Sequence, residues 1–167
     1  MTKRIHICGI YGSGKSTLAG HLSKNLNIPF HSLDDIKYKI KYSKMRPVSE
    51  RIFAVQRICK KKEWITEGTW SNYAEDAFKN SDFIILLLPL KYICYYRILK
   101  RHLFRKKDKS DTLIGALRLM VNVHKYHATH DPVSLSAHLT LIKKYQKKHI
   151  IIKNKKQLKS LIKKLVP

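Results

Sequence analysis

Acidic residues are scarce in this sequence: 11 Asp and Glu stand against 35 Lys and Arg, a formal charge of +24. A field of that size opposes acidic partners and draws phosphate-bearing ones. Two readings of the excess stay open, a surface that binds polyanions or a lysine-rich composition of genomic origin, because net charge informs on non-specific binding and not on fold. Cysteine is almost absent. Cys8, Cys59 and Cys94 are odd in number, lie far apart and form no C-x-x-C, which excludes a disulfide framework and a thiol-rich zinc site and points to a reducing compartment. Long hydrophobic runs are missing too. The longest, Phe83 to Leu90, contains Pro89 and is far short of the about 18 residues that a membrane span needs. Lys3-Arg4 ahead of Ile5 to Tyr11 imitates a signal peptide, but Gly12-Ser13-Gly14-Lys15 interrupts it before an apolar segment forms, so the expected location is the cytoplasm, with no membrane partner. Six Gly and five Pro leave no basis for collagen, long linkers or a disordered chain.

What remains is an ordinary folding sequence: 167 residues with 44% hydrophobic content fit one domain, 1–167, with a real core. Strand-like apolar runs recur at Ile5 to Cys8, Phe30 to Leu33, Trp64 to Thr66, Phe83 to Leu88 and His149 to Ile152. They are continuous rather than alternating and are separated by segments of helical period, the pattern of an α/β fold whose parallel sheet is covered on both faces. The predicted helices are Ser16 to Leu26, Ser49 to Lys61 behind Arg46-Pro47, a helix after Pro89, Asp111 to about Tyr126, and Val133 to Lys148. In the helix after Pro89, the spacing predicts that Tyr92, Tyr96, Leu99 and Leu103 pack inward while Arg97, Arg101 and Arg105 point away. From Pro132 to Pro167 there are ten basic residues and no acidic one, most of them expected on solvated helical faces.

The sharpest signal is Gly9-Ile10-Tyr11-Gly12-Ser13-Gly14-Lys15-Ser16, which fits G-x-x-x-x-G-K-[ST] between a strand, Arg4 to Cys8, and a helix that opens at Ser16-Thr17. Glycines let such a loop wrap so that backbone N–H groups converge on phosphate oxygens, and the helix N-terminus adds partial positive charge. Lys15 then reaches the β- and γ-phosphates and the Ser16 hydroxyl ligates Mg²⁺. A ligand-free turn would need neither the lysine nor the hydroxyl. The residues assigned to the nucleotide are Gly9, Gly12, Ser13, Gly14, Lys15, Ser16 and Thr17. No N-K-x-D guanine-reading motif occurs.

The short chain, the loop near its start and the acidic residues after strands two and three resemble small P-loop kinases of the adenylate-kinase-like group. Within it the sequence is most similar to proteins labelled DNA topology modulation protein-like. The resemblance rests on Gly9 to Ala19, His31-Ser32-Leu33-Asp34, Arg46-Pro47 leading a helix into Trp64-Ile65-Thr66-Glu67-Gly68, Ser81-Asp82, and Tyr92 to Arg105 with its Arg97-Ile98-Leu99-Lys100-Arg101 core. It covers about two thirds of the chain. It implies a five-stranded parallel sheet in 2-3-1-4-5 order, ATP and Mg²⁺ as ligands, phosphoryl transfer as chemistry, an acceptor-side insertion at about 36–63 and a lid at about 97–131. No Asp-Gly-Phe-Pro-Arg follows strand three and no long separate lid is visible, so AMP is not implied as the acceptor.

The resemblance assigns catalysis to Asp34 rather than Asp35, as the group that takes the acceptor's hydroxyl proton. One of the pair is also expected to N-cap the segment Ile36 to Lys41. Glu67 would hold Mg²⁺ through water or bind the acceptor hydroxyl, with an ion pair to a lysine as its alternative. Asp82 reads as a cap or turn residue. Arg97 and Arg101 would stabilise charge on the migrating phosphoryl group, and Arg105 either joins them or lies on a solvated face. Arg46 and Arg51 would bind the anionic part of the acceptor, and Trp70 would stack on an acceptor base, with simple packing as its alternative. Asn154, after strand five, would pack on the adenine. His124, His127 and His130 form an H-x-x-H-x-x-H run, for which a packing or solvated role is expected over a metal. The alternative functions are a polynucleotide 5′-hydroxyl kinase and a nucleic-acid-binding protein regulated by ATP, both drawing on the basic surface, although no helix-turn-helix, RRM or OB signature is present.

Overall fold

The computed structural model describes residues 3–40, 44–104 and 113–166. In chain order these form β1 (Arg4–Gly9), α1 (Lys15–Leu26), β2 (Phe30–Ser32), α2 (Leu33–Lys37), β3 (Tyr38–Ile40), β4 (Lys44–Met45), α3 (Val48–Cys59), β5 (Trp64–Gly68), α4 (Glu75–Asn80), β6 (Phe83–Leu87), α5 (Lys91–Phe104), α6 (Leu113–Ala128), α7 (Leu135–Lys144), β7 (His149–Ile152) and α8 (Lys155–Leu165). The main sheet has the order β2-β5-β1-β6-β7 with every pairing parallel. Counted within that sheet alone, the order is 2-3-1-4-5, as expected.

Successive residues of a strand face opposite sides, and β6 shows the consequence. Ile85 and Leu87 join Ile5, Ile7, Leu18, Leu22, Ile65 and Leu161 in a core beneath α1 and α8. Ile84 and Leu86 join Cys8, Phe78 and Ile142 beneath α4 and α7. Both faces are covered, so the strands read as unbroken apolar runs. At the amino edge, Asp82 receives the Arg4 guanidinium at 2.6 Å and the Arg4 backbone N–H at 3.0 Å, a long-range structural pair that ties the starts of β1 and β6 together. Cys8, Cys59 and Cys94 are all free and buried.

Several expectations need correction. Neither Asp34 nor Asp35 caps a helix at Ile36: α2 begins at Leu33 with Ser32 in the N-cap position, and both carboxylates lie in its first turn. The segment after it turns into a small antiparallel pair, β3 with β4. The helix expected over Val133 to Lys148 is shorter, Leu135–Lys144, and is capped by the Ser134 hydroxyl, which accepts from the Ala137 N–H. The apolar stripe of α5 is also reassigned. Cys94 and Ile98 are the buried positions, while Tyr92, Tyr96, Leu99 and Leu103 are exposed by 41% to 65%. The cause is close approach: a Cβ on Gly12 would lie 2.7 Å from the Cys94 carbonyl oxygen, so the face bearing Cys94 is the one pressed onto the Gly9–Ser16 loop. Arg105 lies outside the described residues.

Candidate functional site

The carboxyl ends of β1 and β5 and the start of α1 converge on one cavity of about 700 Å³, lined among others by Gly12, Ser13, Gly14, Lys15, Ser16, Thr17, Asp34, Glu67, Arg97 and Arg101. Parallel sheets present ligands at this edge because loops and helix N-termini gather there. Register brings the loop and the carboxylate together, since Ile7 pairs with Glu67 and Cys8 with Gly68. Gly12 and Gly14 have φ of 75° and 99°, left-handed conformations that side chains rarely adopt. They let the backbone curl so that Ser13 donates its N–H to the Ile10 carbonyl at 3.2 Å.

Lys15 is buried, and its Nζ donates to the Ile10 carbonyl at 2.9 Å. Burial pushes its pKa down, opposed by the charges of Glu67 and Asp34. Ser16 donates its hydroxyl to Glu67 Oε1 at 3.2 Å. A hydroxyl and a carboxylate aimed at one point beside a phosphate-sized loop are hard oxygen donors, and this donor set fits Mg²⁺ carrying several waters. Asp34 accepts from the Trp70 indole N–H at 3.2 Å. Asp34 and Asp35 therefore separate: the first faces the loop, while the second lines a different open groove of about 580 Å³ with His31, Arg46, Glu50 and Arg57.

Arg97 does not stand free. Its Nη1 donates to the Ser13 carbonyl at 2.8 Å and to the Gly12 carbonyl at 3.3 Å, tying α5 to the loop. Arg101 lines the same cavity. We expect Arg97→Ala to raise the ATP KM as well as lower kcat, because the loop loses a positioning contact, and Arg101→Ala to lower kcat with little change in KM. Steady-state kinetics of the two variants checks this; identical effects from both would remove the distinction.

Trp70 is engaged on several sides. Its N–H holds Asp34, the Lys37 ammonium lies 3.5 Å from its ring centroid, and Tyr73 stacks at 6.4 Å. Beside these packing contacts, its indole N–H orients Asp34. Arg51 is buried, donates to the Arg46 carbonyl at 2.7 Å and sits 5.6 Å from the Tyr73 ring centre. Asn154 N-caps α8 by accepting from the Gln157 N–H at 3.0 Å, and it is not among the residues lining the cavity. The histidine run is not brought together: α6 ends at Ala128, and His130 beyond it bonds to Ser136. Among the described residues no group of three His, Cys, Asp or Glu could hold a metal ion.

Sequence reasoning missed the cavity's apolar wall, Leu158 and Ile162 of α8 with Leu18 of α1. The signal was present, for Leu158, Leu161, Ile162 and Leu165 recur at helical spacing. It also missed a buried strut behind the site. His138 Nε2–H donates to the Thr69 carbonyl at 2.9 Å, which can only accept, so Nδ1 accepts from the Tyr126 hydroxyl at 2.8 Å. That strut holds the chain one residue past Gly68.

No family model matches the chain, and no curated protein matches it in sequence. Solved structures do match in fold. A shikimate kinase from Acinetobacter baumannii in complex with shikimate superposes with TM-score 0.58 at 14% identity, covering 96% of this chain and 89% of that one. An unliganded sugar kinase from Janibacter sp. gives 0.56 at 13%, covering 98% and 94%. A shikimate kinase from Bacteroides thetaiotaomicron gives 0.55 at 16%, covering 98% and 95%. The chain thus has an α/β P-loop fold of the kind seen in small kinases. No helix among the described residues is long and apolar enough to cross a membrane.

Proposed function

We propose that this protein is an ATP-dependent, Mg²⁺-assisted kinase that phosphorylates a small-molecule or nucleotide acceptor in the cytoplasm, akin to the DNA topology modulation protein-like branch of the adenylate-kinase-like group. The observation that carries the reading is the single cavity that collects Lys15, Ser16, Asp34, Glu67, Arg97 and Arg101 at the mouth of the Gly9–Ser16 loop. The neighbours' names, sugar kinase and shikimate kinase, support a small-molecule acceptor.

Loop N–H groups and the start of α1 bind the phosphates, and Lys15 moves its charge from the Ile10 carbonyl to the β- and γ-phosphates. Ser16 and Glu67 would hold Mg²⁺, which when bound neutralises charge on the β- and γ-phosphate oxygens. Asp34, oriented by Trp70 through Oδ1, has Oδ2 for the acceptor's hydroxyl, whose proton it takes during in-line attack. Arg101 stabilises charge on the phosphoryl group. The lining of Leu158, Ile162 and Leu18 suits the flat face of adenine. Arg46, Arg51 and Lys37 supply positive charge on the acceptor side.

The test is transfer of the labelled γ-phosphate of ATP to a panel of nucleosides, nucleotides, hydroxy acids, sugars and 5′-hydroxyl oligonucleotides. Asp34→Asn should leave ATP affinity nearly intact and lower transfer by a factor on the order of 10², with Asp35→Asn near wild type. A larger effect at Asp35 would reverse the assignment, and an absence of transfer with every acceptor class would overturn the kinase reading. The exposed lysines of α8, Lys155, Lys156, Lys159, Lys163 and Lys164, favour the oligonucleotide arm as the second reading. Label transfer to oligonucleotides, or ATP-controlled oligonucleotide binding that weakens steeply with salt, would select it.

A further inference from the structure

The outer side of the α5–α6 hairpin carries more apolar surface than a free monomer usually shows. Tyr92, Tyr96, Leu99 and Leu103 of α5 and Leu113, Ile114, Leu117 and Val121 of α6 are exposed by 41% to 65%, and the two helices pack on each other. At about 3.6 residues per turn, Tyr92, Tyr96, Leu99 and Leu103 fall within one arc of α5, and Leu113, Ile114, Leu117 and Val121 within one arc of α6. Both helices already have an inward apolar face, Cys94 and Ile98 on α5 and Ala116, Val123 and Tyr126 on α6. A helix that is apolar on two sides is one that is covered on two sides.

We propose that this face joins two copies of the chain in an isologous dimer, the two hairpins forming a four-helix layer. Area is the first argument. Eight large side chains exposed to this degree present on the order of 900 Å², taking about 200 Å² for a fully exposed large side chain. A standard interface buries about 800 Å² per partner, whereas the largest apolar patch of a typical monomer is about 300–600 Å².

Charge is the second argument. Lys and Arg make up 35 of 167 residues, yet the two arcs contain no Lys, Arg, Asp or Glu; besides the residues named they hold only His124 and Ala128. Depletion of charge with aromatic enrichment marks the core of a protein interface. Lys100 stands at the edge of the α5 arc, its ammonium 6.0 Å from the Tyr96 ring centre, and a lipid surface or single-stranded nucleic acid that used this cation would show itself as binding in the experiment below. An uncharged face is self-complementary across a two-fold axis, while the remainder of a +24 surface repels its own copy. Arg97 and Arg101 sit on a different side of α5, toward the Gly9–Ser16 loop, so the dimer leaves the candidate site open.

Sedimentation velocity on the full chain tests this. The wild type should sediment as two chains, and the dimer should tighten as salt rises from about 0.1 to about 0.5 M, because screening relieves repulsion between like-charged copies. Leu99→Glu combined with Leu117→Glu, both at exposed positions, should weaken association at least tenfold with unchanged circular dichroism. Leu103→Lys serves as a second variant with the same expectation, and Leu139→Glu on α7 as a control that stays dimeric. A wild type that remains a single chain at about 100 μM, or a dimer that the hairpin variants leave intact, overturns the proposal. So does a single-chain wild type that co-sediments with phosphatidylserine-containing vesicles, or with poly(dT), through the same residues.

Discussion

Replacing Lys15 by alanine is expected to lower ATP-dependent turnover by a factor on the order of 10³ while leaving thermal stability nearly unchanged. The kinetic loss follows from position. Lys15 is the side-chain cation of the Gly9–Ser16 loop, and its pKa, lowered by burial, is held up by Glu67 and Asp34. Remove the ammonium and those two carboxylates face the phosphates uncompensated, in a site where a lost charge stabiliser is worth on the order of 10²–10³ or more. The effect on stability is small, because the cost of desolvating a buried ammonium bonded to one carbonyl, Ile10 at 2.9 Å, offsets its attraction to Glu67 and Asp34, and alanine gives up both together. Calorimetric titration with ATP and single-turnover kinetics, beside a thermal melt, measure both. Wild-type affinity and turnover in the variant would remove the phosphate-binding assignment, and a collapse of the melting temperature would make the lysine structural.

The second large effect is loss of stability in acid. His6 is fully buried, with Nδ1 2.9 Å from the Thr66 hydroxyl, and its pKa is pushed from 6.5 down to about 3, first by burial and then by the neighbouring His138. His138 falls to about 4, mainly through burial, against a hydrogen bond to Thr69 that favours the charged form. Both folded-state values lie below the unfolded one, so the unfolded chain binds more protons below pH 6.5. The stability tied to these neutral rings is fully present above that pH and is lost as pH falls from 6.5 toward 4 and 3. At about 1.4 kcal/mol per pH unit per group, the two together remove on the order of 5 kcal/mol by pH 4. That is comparable to the about 5–15 kcal/mol of a whole domain. Urea unfolding at pH 7, 5 and 4 should show the decline. His138→Gln, which retains an amide donor for Thr69, should be less stable at neutral pH and flatten the profile by about half. An acid profile unchanged in that variant would exclude His138 as a source.

The sequence by itself determined the sheet, the loop and their order. Gly9, Gly12 and Gly14 sit where the backbone needs left-handed or close-packed geometry, Lys15 and Ser16 follow at fixed offsets, and apolar strands buried on both faces cannot be mistaken for amphipathic ones. These are local properties, carried by neighbouring residues. Tertiary structure decided what depends on distant neighbours. The spacing in α5 pointed to Tyr92, Tyr96, Leu99 and Leu103 as the inner face, and only contact with Gly12 selected Cys94 and Ile98 instead. Asp34 and Asp35 were told apart only by the family resemblance, and the turn of α2 sets them at different cavities. Arg97 read as a lid cation, and three-dimensional proximity joined it to Gly12 and Ser13 some 85 residues away. His6 and His138 carried no motif at all. Their depressed pKa values come from burial, a sum over the surrounding elements that no spacing along the chain encodes.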